Sequence, residues 1–408
     1  MRRLYSWLAV LALLGCTAQT AGSPVISTRG SSAIDRMFQA AVDTREIPGV
    51  VAAVANKDRI LYLKAFGRRD VAGGVPMSTD TIFRIASMTK PVTSVGVMML
   101  YEQGKLKLDD PAGTYLPAYK SRPVIATFDA KDATYTTRPA KGEMTIRHLL
   151  AHTSGLAYPF TSPTVLAIQA RTGTDPKAMP LLFDPGTKWN YSAATGVLGE
   201  LVEKLSGQSM EDWDQAKIFR PLGMADTTYV PSPDKAARLA TIHQRGAAGL
   251  VENPNPPKYS PDVRGDGGLV STAADYTTFV QMLLNEGSWR GTRLLKPETV
   301  RMMASNQIGS VVVDTMPAAI PNRSAAFPFG AGKDKFGLGF QITMTEGAAV
   351  HERGAGSYTW GGINNTHFWV DPKNGIGVVI LTQILPFYNA TSMDVVKRFE
   401  KLIYEHLQ

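Results

Sequence analysis

Apolar residues recur at helical spacing from Ser31 to Arg45, and the Pro48-Gly49 turn closes that run. Val50–Ala55 and Ile60–Phe66 are short apolar runs joined by Asn56-Lys57-Asp58, the signature of a hairpin. Ile82–Ile85 is too short to assign by period. Pro91–Gln103 reads as a helix closed by Gly104. From about Pro111, alternation disappears for roughly 150 residues, and helices are predicted at Ile146–Ala151, Ala193–Leu205 and Met210–Phe219. Asn253–Pro261, with four prolines, reads as a loop. Further helices are predicted at Thr272–Leu284 and at Pro297–Ala304, where the proline suits a helix start. Strand patterns return at Gly339–Thr343, His367–Val370 and Gly377–Thr382, and an amphipathic helix spans Ala390–Leu407. The pattern predicts an α+β fold, an antiparallel sheet flanked by helices and built from both chain ends, 30–110 and 265–408. A mostly helical lobe, 111–264, completes it, and the cleft between lobe and sheet is the default place for a site.

The N-terminus changes the picture of where this body works. Arg2-Arg3 precedes an apolar run from Leu8 to Leu14, too short to span a membrane with ease and the right size for an export signal. Leu13-Leu14-Gly15-Cys16 resembles a bacterial lipoprotein processing box, which implies acylation of Cys16. The expectation is a signal peptide over 1–16, a tether over 17–29, and an exported periplasmic protein anchored to the outer membrane by lipid. Cys16 is the only cysteine, so neither an internal disulfide nor a thiolate metal site is expected. The six histidines lack H-E-x-x-H spacing, and no cofactor or metal is expected. With 44% apolar and 19% charged residues the 408-residue chain belongs to the globular class. Its net charge of +8 is dispersed, with no cluster of four basic residues, so no nucleic-acid partner is expected.

Three separated segments carry candidate chemistry. In Ser87-Met88-Thr89-Lys90 a hydroxyl and an amine three residues apart share one helical face. A lysine buried there loses its proton more easily and becomes a general base, and the amides of a first helical turn suit an oxyanion. Equally, Ser87 alone is compatible with a helix cap and Lys90 with a solvated charge. In Trp189-Asn190-Tyr191-Ser192-Ala193, a tyrosine just before a helix is placed to relay a proton, or simply to pack. In Tyr358-Thr359-Trp360-Gly361-Gly362-Ile363, two glycines after an aromatic suggest an edge strand whose backbone is closely approached, or a plain turn. On the first reading, the N–H of Ile363 faces that of Ser87 as a second oxyanion donor.

In this order the segments resemble the three motifs of the serine beta-lactamase and penicillin-binding protein superfamily. The nearest likeness is to class C beta-lactamases and family VIII carboxylesterases. Phe83–Lys90, Leu149–Leu156, Pro221–Thr227 and Gly267–Asp275 extend it, covering roughly residues 30 to 405. The resemblance implies Ser87 as nucleophile, Lys90 as base, Tyr191 as proton relay and an oxyanion hole at Ser87 and Ile363. It makes His148 and His152 parts of a structural signature. Ala193 replaces the asparagine usual in the beta-lactamases, and Trp360-Gly361-Gly362 replaces Lys-Thr-Gly. Both changes remove polar contacts to an antibiotic, and Trp360 offers apolar area to a substrate instead. The expected activity is hydrolysis of small, short-chain carboxylic esters. The alternatives are a beta-lactamase, D-amino peptidase or amidase on the same scaffold, an acyltransferase, and an inactive envelope protein that binds without turnover.

Overall fold

Gly49–Asn56 is buried along its whole length, which requires cover on both faces of its sheet. The computed structural model, which describes residues 23–247, 249–253, 260–345 and 351–408, supplies that cover. Cys16, the predicted signal peptide and most of the loop Asn253–Pro261 lie outside the described residues.

The strands of the central sheet, numbered in chain order, are β1 (Gly49–Asn56), β2 (Ile60–Asp70), β3 (Val75–Pro76), β4 (Lys335–Phe336), β5 (Gln341–Ile342), β6 (Tyr358–Gly362), β7 (Thr366–Asp371) and β8 (Ile376–Leu381). They lie side by side as β4-β5-β6-β7-β8-β1-β2-β3, antiparallel throughout. The sheet is therefore stitched from the two chain ends, Val51 opposite Leu381 and Asn56 opposite Ile376.

Five helices matter for the site: α1 (Thr28–Asp43), α2 (Thr89–Glu102), α3 (Ala194–Ser206), α4 (Ala273–Leu284) and α5 (Ala390–His406). The two-residue period of β1 divides the core in two. Val50, Ala52 and Val54 join Ile34 and Phe38 of α1 and Phe399 and Ile403 of α5. Val51 and Ala53 face the larger cluster with α2, α3, α4 and the lobe. The rings of Phe38 and Phe399, 5.0 Å apart, lock the two terminal helices together.

The lobe departs from the expected pattern. It contains the hairpin Val124–Phe128 with Tyr135–Arg138, and a second of Ile242–Gly246 with Gly249–Asn253. Ile384–Leu385 adds to the second in parallel. Their side chains are mostly exposed or half-buried on both faces, so no apolar alternation marks them. The tether also ends earlier than expected. Val25 N–H donates to the Gln408 carbonyl at 3.0 Å, Ser27 caps α1, and the helix is under way at Thr28. The unassigned Ile82–Ile85 holds a two-residue strand, Phe83–Arg84, paired with Val270–Ser271. Such a short pairing carries no periodic signal, yet it leads directly into the serine.

Candidate active site

Ala86–Met88 forms a single 3-10 turn before α2. Ala86 has φ of +46°, a left-handed conformation that costs an alanine about 1–2 kcal/mol. Neighbours hold it there. Ile85 N–H donates to the Leu269 carbonyl at 3.1 Å, and the Ile85 carbonyl accepts from Met88 N–H at 3.0 Å. Asn364 Nδ2 donates to the Arg84 carbonyl at 3.1 Å, and Thr366 Oγ1 to that of Ile85 at 3.3 Å. The turn carrying Ser87 is thus fixed to β7 and to the segment between β6 and β7.

α2 is buried around nearly its whole circumference. Lys90 accordingly is 1% exposed. Its Nζ lies 3.2 Å from Ser87 Oγ and donates to the Asp266 carbonyl at 2.6 Å. It stands 4.9 Å from the centre of the Tyr191 ring and 5.2 Å from that of Tyr158. Burial lowers the pKa of Lys90 to about 7, with Arg264 acting in the same direction and the Asp266 carboxylate opposing. Near neutral pH a large fraction of the amine is therefore unprotonated.

Tyr191, just before α3, donates from its hydroxyl to Ser87 Oγ at 2.6 Å. Burial holds its pKa above the ordinary tyrosine value, so the phenol keeps its proton. Tyr191, 104 residues beyond Ser87, meets the Ser87–Lys90 pair at one oxygen. Ala193 is the residue before α3 and, with Ser87 and Ile363, lines a cleft of about 610 Å³ against the lobe.

The glycines behave as a close-approach pair. A Cβ on Gly362 would lie 2.2 Å from the Ile85 carbonyl oxygen, and one on Gly361 would lie 2.8 Å from His367 Nδ1. β6 is not an edge over its whole length: Tyr358 and Thr359 pair with β5 on one side. Trp360, Gly361 and Gly362 pair only with β7, which leaves three residues open beside the serine turn.

Trp360 requires a correction. It does not line the cleft but sits 6% exposed behind Tyr191, with ring centroids 5.0 Å apart. His152 and Phe336 pack on its other sides, at 6.3 Å and 5.5 Å. Alternation along β6 turns its indole into the aromatic core, where it positions Tyr191. His152 is buried in the same cluster, and burial together with Lys90 holds its pKa well below the usual value. His148 accepts the Thr145 N–H in a capping box.

Sequence reasoning missed Asp266 and the role of Tyr158. The Tyr158 hydroxyl donates to the Asp266 carboxylate, whose backbone carbonyl holds Lys90. Phe160 of the lobe, with Ile320 and Arg323 from the 265–408 part, also lines the cleft. No spacing in the sequence links residue 266 to residue 90.

A buried serine–lysine–tyrosine cluster at the lip of an antiparallel sheet defines a serine-hydrolase type of enzyme. Residues 34–397 match the family model described as Beta-lactamase, and the chain belongs to that family. It is 31% identical over 417 residues to the monacolin J acid methylbutanoyltransferase of Aspergillus terreus, covering 96% of this chain and 98% of that protein. It is 29% identical over 398 residues to lovastatin esterase of Penicillium rubens, covering 91% and 98%. The solved structure of unliganded simvastatin synthase from Aspergillus terreus, as its selenomethionyl derivative, superposes with a TM-score of 0.81 at 29% identity, covering 93% and 98%. Within the superfamily these relatives are of the family VIII esterase and acyltransferase type.

Proposed function

We propose that this protein hydrolyses small carboxylic esters through an acyl-enzyme on Ser87. The observation that carries the reading is the meeting of Lys90 Nζ at 3.2 Å and Tyr191 OH at 2.6 Å on Ser87 Oγ, with the lysine pKa lowered to about 7. Neutral Lys90 takes the Ser87 proton as Oγ attacks the ester carbonyl. The N–H groups of Ser87 and Ile363 hold the oxyanion. The ester C–O bond breaks, and Tyr191 passes a proton to the departing alcohol while recovering one from Lys90. Water then attacks the acyl group by the reverse proton route and frees Ser87. Ala193 lines the pocket without a side-chain amide to offer an antibiotic, which favours esters over lactams.

A second reading, transfer of the acyl group to an alcohol instead of water, is supported by the name of the methylbutanoyltransferase relative. Both readings share the acyl-enzyme and differ only in the second nucleophile. We also propose that the protein is an exported lipoprotein acylated at Cys16, on the strength of the apolar run and processing box. Mass spectrometry of the mature N-terminus tests this, and an unmodified Cys16 sinks it.

The functional test compares p-nitrophenyl esters from acetate to laurate with a chromogenic cephalosporin, using Ser87→Ala as the blank. The expected result is fast, Ser87-dependent turnover of short esters and much slower cephalosporin hydrolysis. Adding a second alcohol and following the new ester separates transfer from hydrolysis. Full esterase activity in Ser87→Ala overturns the scheme, and the reverse substrate ranking makes the protein a beta-lactamase.

A further inference from the structure

Four chain segments converge on an open groove of about 560 Å³ that shares no lining residue with the active-site cleft. The turn after β1 brings Arg59, and β2 begins there with Ile60. The short helix Arg220–Leu222 brings Arg220, α4 brings Thr278 and Gln281, and the hairpin Ser288–Trp289 with Thr292–Arg293 brings Trp289 and Arg290. No acidic residue lines this groove. Among the described residues none of the three arginines takes part in an ion pair. Asp58, the acid next to Arg59, accepts from Ser23 Oγ at 3.1 Å.

Two further features mark the groove as more than a solvated patch. The hairpin turn is Arg290-Gly291, with φ of +45° and +83°. A two-residue turn of this hand favours Asn-Gly, so an arginine at its first position is held against its backbone preference. Its guanidinium lies 5.3 Å from the centre of the Trp289 ring. Beside this pair Ile60 is 37% exposed. Cations set among an indole and an aliphatic side chain match the boundary between phosphate headgroups and acyl chains.

The described chain also begins beside this groove. Asn56 Nδ2 donates to the Pro24 carbonyl at 3.0 Å, in the same turn that carries Arg59. Cys16 and Ser23 are separated by at most about 25 Å of extended chain. We propose that the groove of Arg59, Arg220 and Arg290 docks the protein on the phosphate groups of anionic lipids. The choice of a lipid over a soluble phosphate rests on the lipoprotein reading above; the anion site itself does not.

The test uses the full chain and a triple variant, Arg59→Ser, Arg220→Ser and Arg290→Asn, the last chosen because asparagine suits the turn. Hydrolysis of a short p-nitrophenyl ester, unchanged in the variant, reports that it folds. Binding is measured to phosphatidylcholine vesicles with and without phosphatidylglycerol, at low and high salt, and to inorganic phosphate. Any contribution of the N-terminal segment is common to both proteins and cancels. The expected result is a preference for the anionic vesicles, reduced roughly a hundredfold in the variant and suppressed by salt. An equal preference in both proteins overturns the proposal. Arginine-dependent phosphate binding without a vesicle preference overturns the lipid source. Mass spectrometry of Cys16 on the same preparation reports the anchor separately.

Discussion

Lys90 Nζ is held more closely by the backbone carbonyl of Asp266, at 2.6 Å, than by Ser87 Oγ, at 3.2 Å. The base is therefore positioned by the strand of chain that returns from the lobe. Because burial lowers its pKa to about 7, kcat/KM should rise with pH through about 7 and level off above it. The Asp266 carboxylate acts to raise that pKa, so Asp266→Asn should move the acid limb to lower pH. A pH–rate profile of both proteins checks this, and an upward or absent shift contradicts it.

Lys90→Met should abolish turnover, by roughly a thousandfold or more, and yet stabilise the fold. Between about pH 7 and 10.5 the unfolded chain binds a proton at Lys90 that the folded chain does not. Stability from this group thus rises with pH across the window and is lowest below it. Removing the amine should raise stability by about 4 kcal/mol at pH 7, a gain that falls to about 2 kcal/mol at pH 9, read by denaturant unfolding. A less stable Lys90→Met protein contradicts the burial argument.

Tyr191→Phe keeps the ring against Trp360 and removes only the hydroxyl at 2.6 Å from Ser87 Oγ. Turnover should fall about 10²–10⁴-fold, with little change in melting temperature. Trp360→Ala, by contrast, should lower both, because the indole supports the phenol and fills the core. Steady-state kinetics and calorimetry distinguish the two patterns.

Gly362→Ala places a methyl 2.2 Å from the Ile85 carbonyl and 2.4 Å from Thr366 Oγ1. Backbone must move, at about 1–3 kcal/mol. The displaced backbone carries Ser87, so turnover should fall about a hundredfold although no catalytic group has changed.

Arg353 and Glu400 form a bidentate pair at 2.8 and 3.0 Å, with both side chains buried. Burial alone would raise the Glu400 pKa; Arg353 and then His351 hold it well below the usual carboxylate range. The stability from this pair is present above the unfolded carboxylate pKa and lost as pH falls through the folded value. Glu400→Gln should cost about 3–5 kcal/mol at neutral pH. Chemical denaturation at pH 7 and at acid pH measures both the loss and its narrowing.

Where a face is buried, the chain announces its structure. β1, β2, β7, β8 and the five main helices follow from apolar runs because one or both of their faces pack in the core. The lobe hairpins escaped because Ile125, Ala126 and Thr127, like Tyr135 to Thr137, pair over a mostly solvated surface. At the site, Ser87 and Lys90 were legible as neighbours because residues three apart on a helical turn share a face, and the likeness to a known family chose catalysis over a cap and a solvated charge. Tyr191 and Gly362 needed the likeness to a known family. Asp266 escaped even that, since it acts on Lys90 through a backbone carbonyl, a group every residue has. Trp360 was expected to offer apolar area to a substrate, but alternation along β6 turns its indole into the core against Tyr191.

The pairing of β1 with β8 has a consequence for the history of each molecule. Val51 finds Leu381 only after nearly the whole polypeptide has been made. Until then β1 and β2 form a lone hairpin, which has marginal stability in water. Contacts this distant are formed late and slowly. A ribosome therefore releases the chain with its central sheet still open. Folding and the assembly of the serine, lysine and tyrosine at one oxygen belong to the moment after the last strand emerges.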